Sequence, residues 1–309
     1  MKKNLIALAV AATMVPAIAA AEGASISGFA DITLTSDNDE NVFGANAELD
    51  IRNTVGAVTV GADIDFTLGT NATPGTSNLE QAFFAWGAAE NVTVIAGVIN
   101  NPIGWEAEDA PGLYQVSHGQ IYDILDSQTA LYGNNIAGLA VAYNAGIATI
   151  TAAVLNDIGH TNMDDNSLAL VVNLAPMEGL ALELGYVTQE EKAAGSSIIT
   201  TAGNVVDFNA TFTAVENLMV GFEYLAADNI VDSAMGITGN YAIMDNLSAT
   251  LRYDVVSFEA GGDDSKSTTV AFTYGLADNL DVLLEYRSDD KGNGTDTDSM
   301  GVLEFIASF

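Results

Sequence analysis

Carboxylates dominate the groups in this chain that could do chemistry, and they recur at even spacings. Glu48, Asp50 and Arg52 share one face of an extended segment, as do Asp63 and Asp65, Arg252 and Asp254, and Asp281, Glu285 and Arg287. With Glu80, Glu183, Asp207, Glu223 and Glu304 they make twelve acids and three arginines, all assigned to faces opposite the apolar ones. Acids arrayed around a confined space attract cations and repel anions. Each arginine has an acid two residues away (Asp50–Arg52, Arg252–Asp254, Glu285–Arg287), so local pairing is expected to mute the positive charges. The plainer reading is solvated side chains with no selectivity role.

Other chemistries fare worse. There is no cysteine, which excludes disulfides and thiolate catalysis. The two histidines, His118 and His160, both fall in loops. Ser117 and His118 are adjacent, and adjacent side chains on extended chain point apart, so an acyl-transfer pair and an enzyme are not expected. Acidic stretches at 37–41, 162–166 and 289–298 offer oxygen ligands but lack the glutamate that ends an EF-hand loop. They suit loose Ca²⁺ or Mg²⁺ bridging to lipopolysaccharide at most; no resident cofactor or metal is expected.

The elements that must position the acids are read from the end of the chain. In MGVLEFIASF, Gly301, Leu303, Phe305, Ala307 and Phe309 fall on one face, and Val302, Glu304, Ile306 and Ser308 on the other. One face could meet lipid while the other carries a carboxylate. A terminal strand with a final aromatic resembles the closing strand of a bacterial outer-membrane β-barrel. At the other end, Lys2 and Lys3, an apolar run to Pro16 and small residues over Ala17–Ala21 make a secretory signal peptide. Residues 1–21 are read as that leader and 22–309 as one barrel domain, exported to the outer membrane of a Gram-negative cell.

Composition agrees. Removing the leader leaves six basic residues (eight less Lys2 and Lys3) against 41 acids, a net charge of −35. That excludes nonspecific nucleic-acid binding. Yet mean hydropathy is +0.25 and 49% of residues are hydrophobic, too apolar for disorder. Such a chain must segregate the two characters, as a barrel with a greasy outside and a polar lumen does. No apolar run of 18 residues follows the leader, so helical spans are not expected. The uncharged stretch Ser127–Asn156 is broken by turn residues at 133–135 and 144–146 and reads as strands.

An acid-Asn-apolar repeat marks tight turns at 89–92, 215–218, 244–247 and 277–280, with a variant at 176–180. Longer polar loops alternate with them, at 36–43, 69–78, 156–166, 189–204, 259–267 and 288–298. The count is sixteen strands, centred near Gly28, Leu49, Asp63, Phe84, Ala96, Val141, Thr151, Leu170, Leu184, Ala210, Phe222, Gly239, Leu251, Phe272, Leu284 and Phe305. Fourteen is the alternative, if 127–156 is parsed otherwise. Parity sends Trp86, Tyr143, Tyr186, Tyr224, Tyr241, Tyr253, Tyr274, Tyr286 and Phe309 outward, as two aromatic girdles. The first three strands have no tyrosine and place Gly28, Ala30, Ala45, Ala47 and Ala62 outward. Such a face suits close approach of another subunit, and a homotrimer through these strands is expected.

The longest connection is Asn100–Gln128, after the fifth strand. Pro102, Gly104, Pro111 and Gly112 stiffen it, and Trp105, Leu113, Tyr114, Ile121, Tyr122, Ile124 and Leu125 need something to pack on. Its acids Glu106, Glu108, Asp109, Asp123 and Asp126 would line whatever it narrows, or it could cap the mouth.

The whole mature chain resembles Gram-negative porins, whose third external loop folds into the barrel as a constriction. The segment Gly97–Glu106 (GVINNPIGWE), followed by Tyr114, His118 and Tyr122, also resembles OmpL-like β-barrel porins. The resemblance implies a constriction role for Asn101, Pro102, Gly104 and Glu106. The chain departs from general porins in lacking the arginine cluster that faces the acidic loop. The expected function is therefore a water-filled channel for passive diffusion of small hydrophilic solutes, favouring cations. The alternative is a non-channel surface barrel, adhesin or structural, plugged by the loop.

Overall fold

A computed structural model describes residues 23–37, 41–68, 76–128, 134–156, 158, 166–189, 202–292 and 297–309. The leader assigned to 1–21 lies outside them, as do residues 38–40, 162–165 and 293–296 of the three acidic stretches. Sixteen antiparallel strands form one closed barrel. They are β1 (Ser25–Ser36), β2 (Asn41–Val55), β3 (Val58–Leu68), β4 (Thr76–Ala89), β5 (Val92–Asn100) and β6 (Asn135–Asn144). There follow β7 (Ala148–Asn156), β8 (Asn166–Met177), β9 (Leu180–Val187), β10 (Val205–Phe212) and β11 (Leu218–Ala227). The last are β12 (Val231–Met244), β13 (Leu247–Phe258), β14 (Ser265–Ala277), β15 (Leu280–Asp290) and β16 (Asp298–Ser308). Every expected strand centre falls inside its strand, and the count is sixteen rather than fourteen.

Neighbours in sequence are neighbours in space, and β16 returns to pair with β1, from Phe29↔Ser308 to Ser36↔Gly301. The terminal residue completes the seam: Phe309 N–H donates to Gly28 O at 3.0 Å, and Gly28 N–H to Phe309 O at 3.3 Å. Closure removes the open edge that a membrane cannot solvate. The repeated turns fall between strands, and their asparagines do two jobs. Asn91 and Asn217 adopt the left-handed region, at φ 63° and 62°, which asparagine tolerates better than most residues. Asn279 instead donates from Nδ2 to Ser308 O at 3.0 Å, tying its turn to the next strand.

Alternation decides what faces lipid. All nine outward aromatics named above are exposed, as are Leu139, Leu170, Leu184, Ile237, Leu251 and Leu284 between the girdles. The outward faces of β1–β3 do lack tyrosine, and Ala30 opposes Ala47. They are not uniformly small, however: Ile26, Ile32, Phe43, Val60 and Phe66 are also exposed there.

One irregularity corrects the parity count. Trp86 and Glu80 are six residues apart, so a regular strand would put both on the same face. On β3–β4, Asp63 pairs with Gln81 and Ile64 with Leu79, leaving Glu80 as an extra, bulged residue. A β-bulge reverses the alternation beyond it. Glu80 is therefore buried inside while Leu79 and Trp86 face out.

The lumen also departs from expectation. Its wall is not polar throughout: Phe83, Ile95, Ile99, Ala140, Leu155 and Val171 point inward and are buried. They join one apolar cluster with Ile103, Ile121 and Leu125 of the third loop. The core of this barrel lies inside it, and the loop supplies the second layer that covers those residues.

Placing a charge on the lipid face should be costly in a depth-dependent way. Leu251→Arg, mid-strand on β13, is expected to cost about 2–4 kcal/mol, and Ile243→Arg at the turn end of β12 about 0–1 kcal/mol. Urea unfolding in lipid vesicles checks this; equal losses would mean the exterior is misassigned.

Candidate functional site: the loop inside the barrel

The third connection runs from Asn101 to Asn134, six residues beyond the expected end at Gln128. Its base is pinned where Asn101 N–H donates to Asn134 O at 2.7 Å. It carries a short 3₁₀ turn (Ala110–Gly112) and a helix, α1 (Gln120–Gln128), which no expectation included. Ile121, Ile124 and Leu125 at spacings of three and four were the available signal. Ile121 and Leu125 are buried, Asp126 is half-buried, and Asp123 is exposed.

Two lumen-facing glycines seat the loop. A Cβ on Gly185 would lie 2.2 Å from Ile103, and one on Gly221 would lie 2.1 Å from the Trp105 ring. Either methyl would evict the side chain above it. Trp105 Nε1–H donates to Thr211 Oγ1 at 2.8 Å, and its backbone N–H donates to Glu223 Oε1 at 2.8 Å. Gly104 reaches this position with φ 118°, a conformation other residues rarely adopt.

Glu106 is the electrostatic hub. Its Oε1 accepts from Gln115 Nε2 and from the Arg252 guanidinium at 3.1 Å. Its Oε2 accepts from Gly119 N–H at 2.6 Å and faces His118 Nδ1 at 3.3 Å. Burial alone would raise its pKa, but His118, Arg252 and the Gly119 amide outweigh it and hold the carboxyl below the usual range. The His118 ring stacks on Tyr122 at 3.7 Å. Ser117 and His118 do not pair: Ser117 Oγ accepts from Arg252 at 3.2 Å.

Arginines do therefore face the acidic loop, contrary to the departure inferred above. Arg252 donates to Ser117 O at 2.6 Å and His118 O at 2.8 Å, and Arg287 to His118 O at 2.8 Å. Of the three expected pairs only Arg252–Asp254 forms, at 3.1 Å. Arg52 binds Asp63 across the strands through both terminal nitrogens and lies 5.1 Å from the Phe83 ring centre. Arg287 binds Asp289 at 2.8 Å, which leaves Glu285 to accept from Val116 and Ser117 N–H at 2.7 and 3.0 Å. A cross-strand partner takes Arg52, and Arg287 takes the acid two residues after it because the loop's amides occupy Glu285, so sequence spacing misassigns two of the three.

The remaining loop acids meet more acids. Glu108 Oε1 shares Asn135 Nδ2 with Glu80 Oε1, each at 3.1 Å. Burial, then the charges of Glu80 and Asp109, push the Glu108 carboxyl well above its usual pKa. Asp109, also raised by burial, sits against Glu48. Among the described residues the inward acids are strongly occluded: Asp207, Glu285, Glu304 and Glu48 are 0%, 2%, 3% and 4% exposed. Asp50, Asp65, Glu183 and Asp281 are half-buried. Among the described residues, two open spaces adjoin the loop. One, of about 930 Å³, is a vestibule on the short-turn side, reaching from Asn217, Asn246 and Asp281 up to Tyr114 of the loop. The other, of about 170 Å³, lies between the loop at Pro102–Trp105 and the apolar wall.

A closed sixteen-stranded barrel with a lipid-facing exterior and an inward-folded third loop is the outer-membrane porin fold, and this chain has it. No protein-family model and no curated protein sequence matches it. Among solved structures it is similar to the outer membrane channel DcaP of Acinetobacter baumannii, with a TM-score of 0.68 and 15% identity over 93% of this chain and 97% of that one. A mutant of the Rh. blastica porin gives 0.66 at 15% identity, over 93% and 100% of the two chains. OmpT, an outer membrane protein of Vibrio cholerae, in a trimer form, gives 0.62 at 15% identity, over 93% and 99%. At such identities the likeness is one of fold.

The shifted carboxyls make loop docking pH-dependent with a defined sign. A raised carboxyl favours docking at low pH, and that contribution is lost as pH climbs from about 4.3. Glu106, depressed, does the reverse and is lost only as pH falls below that value. With chelator present, protease resistance of the loop should decline from pH 5 to pH 9, and Glu108→Gln should flatten the decline. A wild-type loop indifferent to pH across that range would contradict the burial of Glu108.

Proposed function

We propose that this protein is an outer-membrane porin, a channel for passive diffusion of small hydrophilic solutes that favours cations. The carrying observation is the charge balance inside the barrel. Among the described residues, Arg52, Arg252 and Arg287 are all engaged by acids or by loop carbonyls, while the inward acids of β2, β3, β4, β9, β10 and β11 outnumber them. A narrow passage with that field admits cations and rejects anions. Among the described residues no groups for acyl, phosphoryl or redox chemistry are assembled, and the similar structures are porins and channels, so we read no enzymatic role. The likeness in fold to an outer membrane channel and a porin supports the general reading.

One observation favours the second reading, a barrel plugged by its loop. The loop bonds to opposite walls, from Thr211 on β10 to Glu285 on β15, and packs against the apolar side. Planar-bilayer recording separates the two. The porin reading expects ohmic steps, small for a sixteen-stranded barrel, with a reversal potential favouring potassium over chloride. Silence supports the plug, and anion preference overturns the selectivity.

We further infer a homotrimer joined through β1–β3, whose outward faces are apolar but lack the tyrosines that anchor a lipid-facing surface at the interface. Partners on the remaining exterior would be lipid and, at the loop side, lipopolysaccharide. Unheated detergent gels with cross-linking should show a trimer that Ala47→Trp dissociates. A wild-type protein running only as monomer sinks this proposal.

A further inference from the structure

Where the loop descends on β2–β4, like charges are stacked on one another. Glu48 directly opposes Asp65 across the β2–β3 pair, and Asp50 opposes Asp63. Like charges in such register repel, and the bulge on β4 adds Glu80 to them. One carboxylate oxygen each from Glu48, Asp65 and Glu80 lie within 4.8 Å of one another, as do those of Glu48, Asp50 and Asp63. The guanidinium alongside, Arg52, is spent on Asp63.

A second observation is independent of that crowding. Glu48 and Glu80 are 4% and 9% exposed, and each has a buried carboxylate oxygen, Oε2, without a hydrogen-bond partner. Glu108 brings a third such oxygen from the loop, and its carboxyl touches that of Glu80. Buried carboxylate oxygens are normally satisfied, because an unpaired one forfeits its hydration for nothing. Glu48 and Glu80 bring orphaned oxygens to one acid group from two strands, and the loop's Glu108 lies against Glu80; the arrangement calls for a ligand that accepts several anionic oxygens at once.

We propose that Glu48, Asp65 and Glu80 bind a hard divalent cation of the Ca²⁺ type inside the barrel, with Glu108 as the loop's ligand. Ca²⁺ takes six to eight oxygens at about 2.3–2.6 Å, so ligands on opposite sides of one ion stand up to about 5 Å apart, which this spacing meets. Flexible carboxylates and no imidazole or thiolate within the group favour Ca²⁺ over transition metals. The ion would cancel the repulsion between β2 and β3 and clip the loop to the wall opposite Arg252. This site is distinct from any loose cation binding at the outer loops.

The test uses the full-length protein, refolded in detergent, freed of metal with chelator and titrated with CaCl₂ by calorimetry at 0.1 M KCl. One saturable site per chain is expected. Glu80→Gln should weaken it at least tenfold, whereas Asp263→Asn, in an outer loop, should leave it unchanged. Heat-modifiable gel mobility reports whether each variant folds. If Glu80→Gln does not, Glu108→Gln and the Ca²⁺-dependent rise in the wild-type melting temperature replace it. No saturable binding by the wild type, loss of binding in Asp263→Asn, or unchanged binding in a folded Glu80→Gln or Glu108→Gln would each overturn the proposal. None of these readouts involves conductance, so the site and the channel reading can fail separately.

Discussion

In hydrocarbon every backbone N–H and C=O must find a partner within the protein, and the antiparallel seam between β1 and β16 is where this chain satisfies the last of them. The seam runs from Phe29↔Ser308 to Ser36↔Gly301 and is finished by the two bonds between Gly28 and Phe309. Closure then fixes the parity of every strand, since a one-residue slip would exchange the lipid face for the lumen face. The aromatic belts and the inward acids follow from that single condition. The bulge at Glu80 resets the parity within β4, and it brings Glu80 to the acids of β2 and β3.

Closure leaves a space that sixteen strands cannot fill with their own side chains. The third loop solves this by acting as the barrel's core. Ile103, Ile121 and Leu125 give the inward apolar residues of β4–β8 something to pack on, while Trp105 docks on β10 and β11. Glycines at 185 and 221 open the seats those side chains need. On the far side the loop is held by charge: Arg252 and Arg287 reach its carbonyls, and Glu106 answers Arg252 from within. Breaking a buried pair of this kind leaves an uncompensated charge, so these contacts specify one loop position rather than merely adding stability. The same contacts engage both arginines with the loop.

Much of this was legible before any coordinates. Alternation with a period of two, turn asparagines and a terminal aromatic are local signals, and they located the sixteen strand centres. Ion pairing was poorly legible. Spacing along one strand paired Arg52 with Asp50 and Arg287 with Glu285, yet Asp63 on the next strand and Asp289 near the strand end took those places. The helix α1 was within reach, since its apolar residues keep helical spacing, but the loop's prolines and glycines drew attention to turns instead.

By itself, then, the sequence determined the barrel and the alternation along its strands, because these depend on neighbours one and two residues apart. Only the tertiary structure decided what the inward residues meet. The apolar half of the lumen, the docking of Glu106 on Arg252, and the convergence of Glu48, Asp65, Glu80 and Glu108 join residues far apart in the chain. Strand register and one bulge bring them together, and no local pattern encodes either.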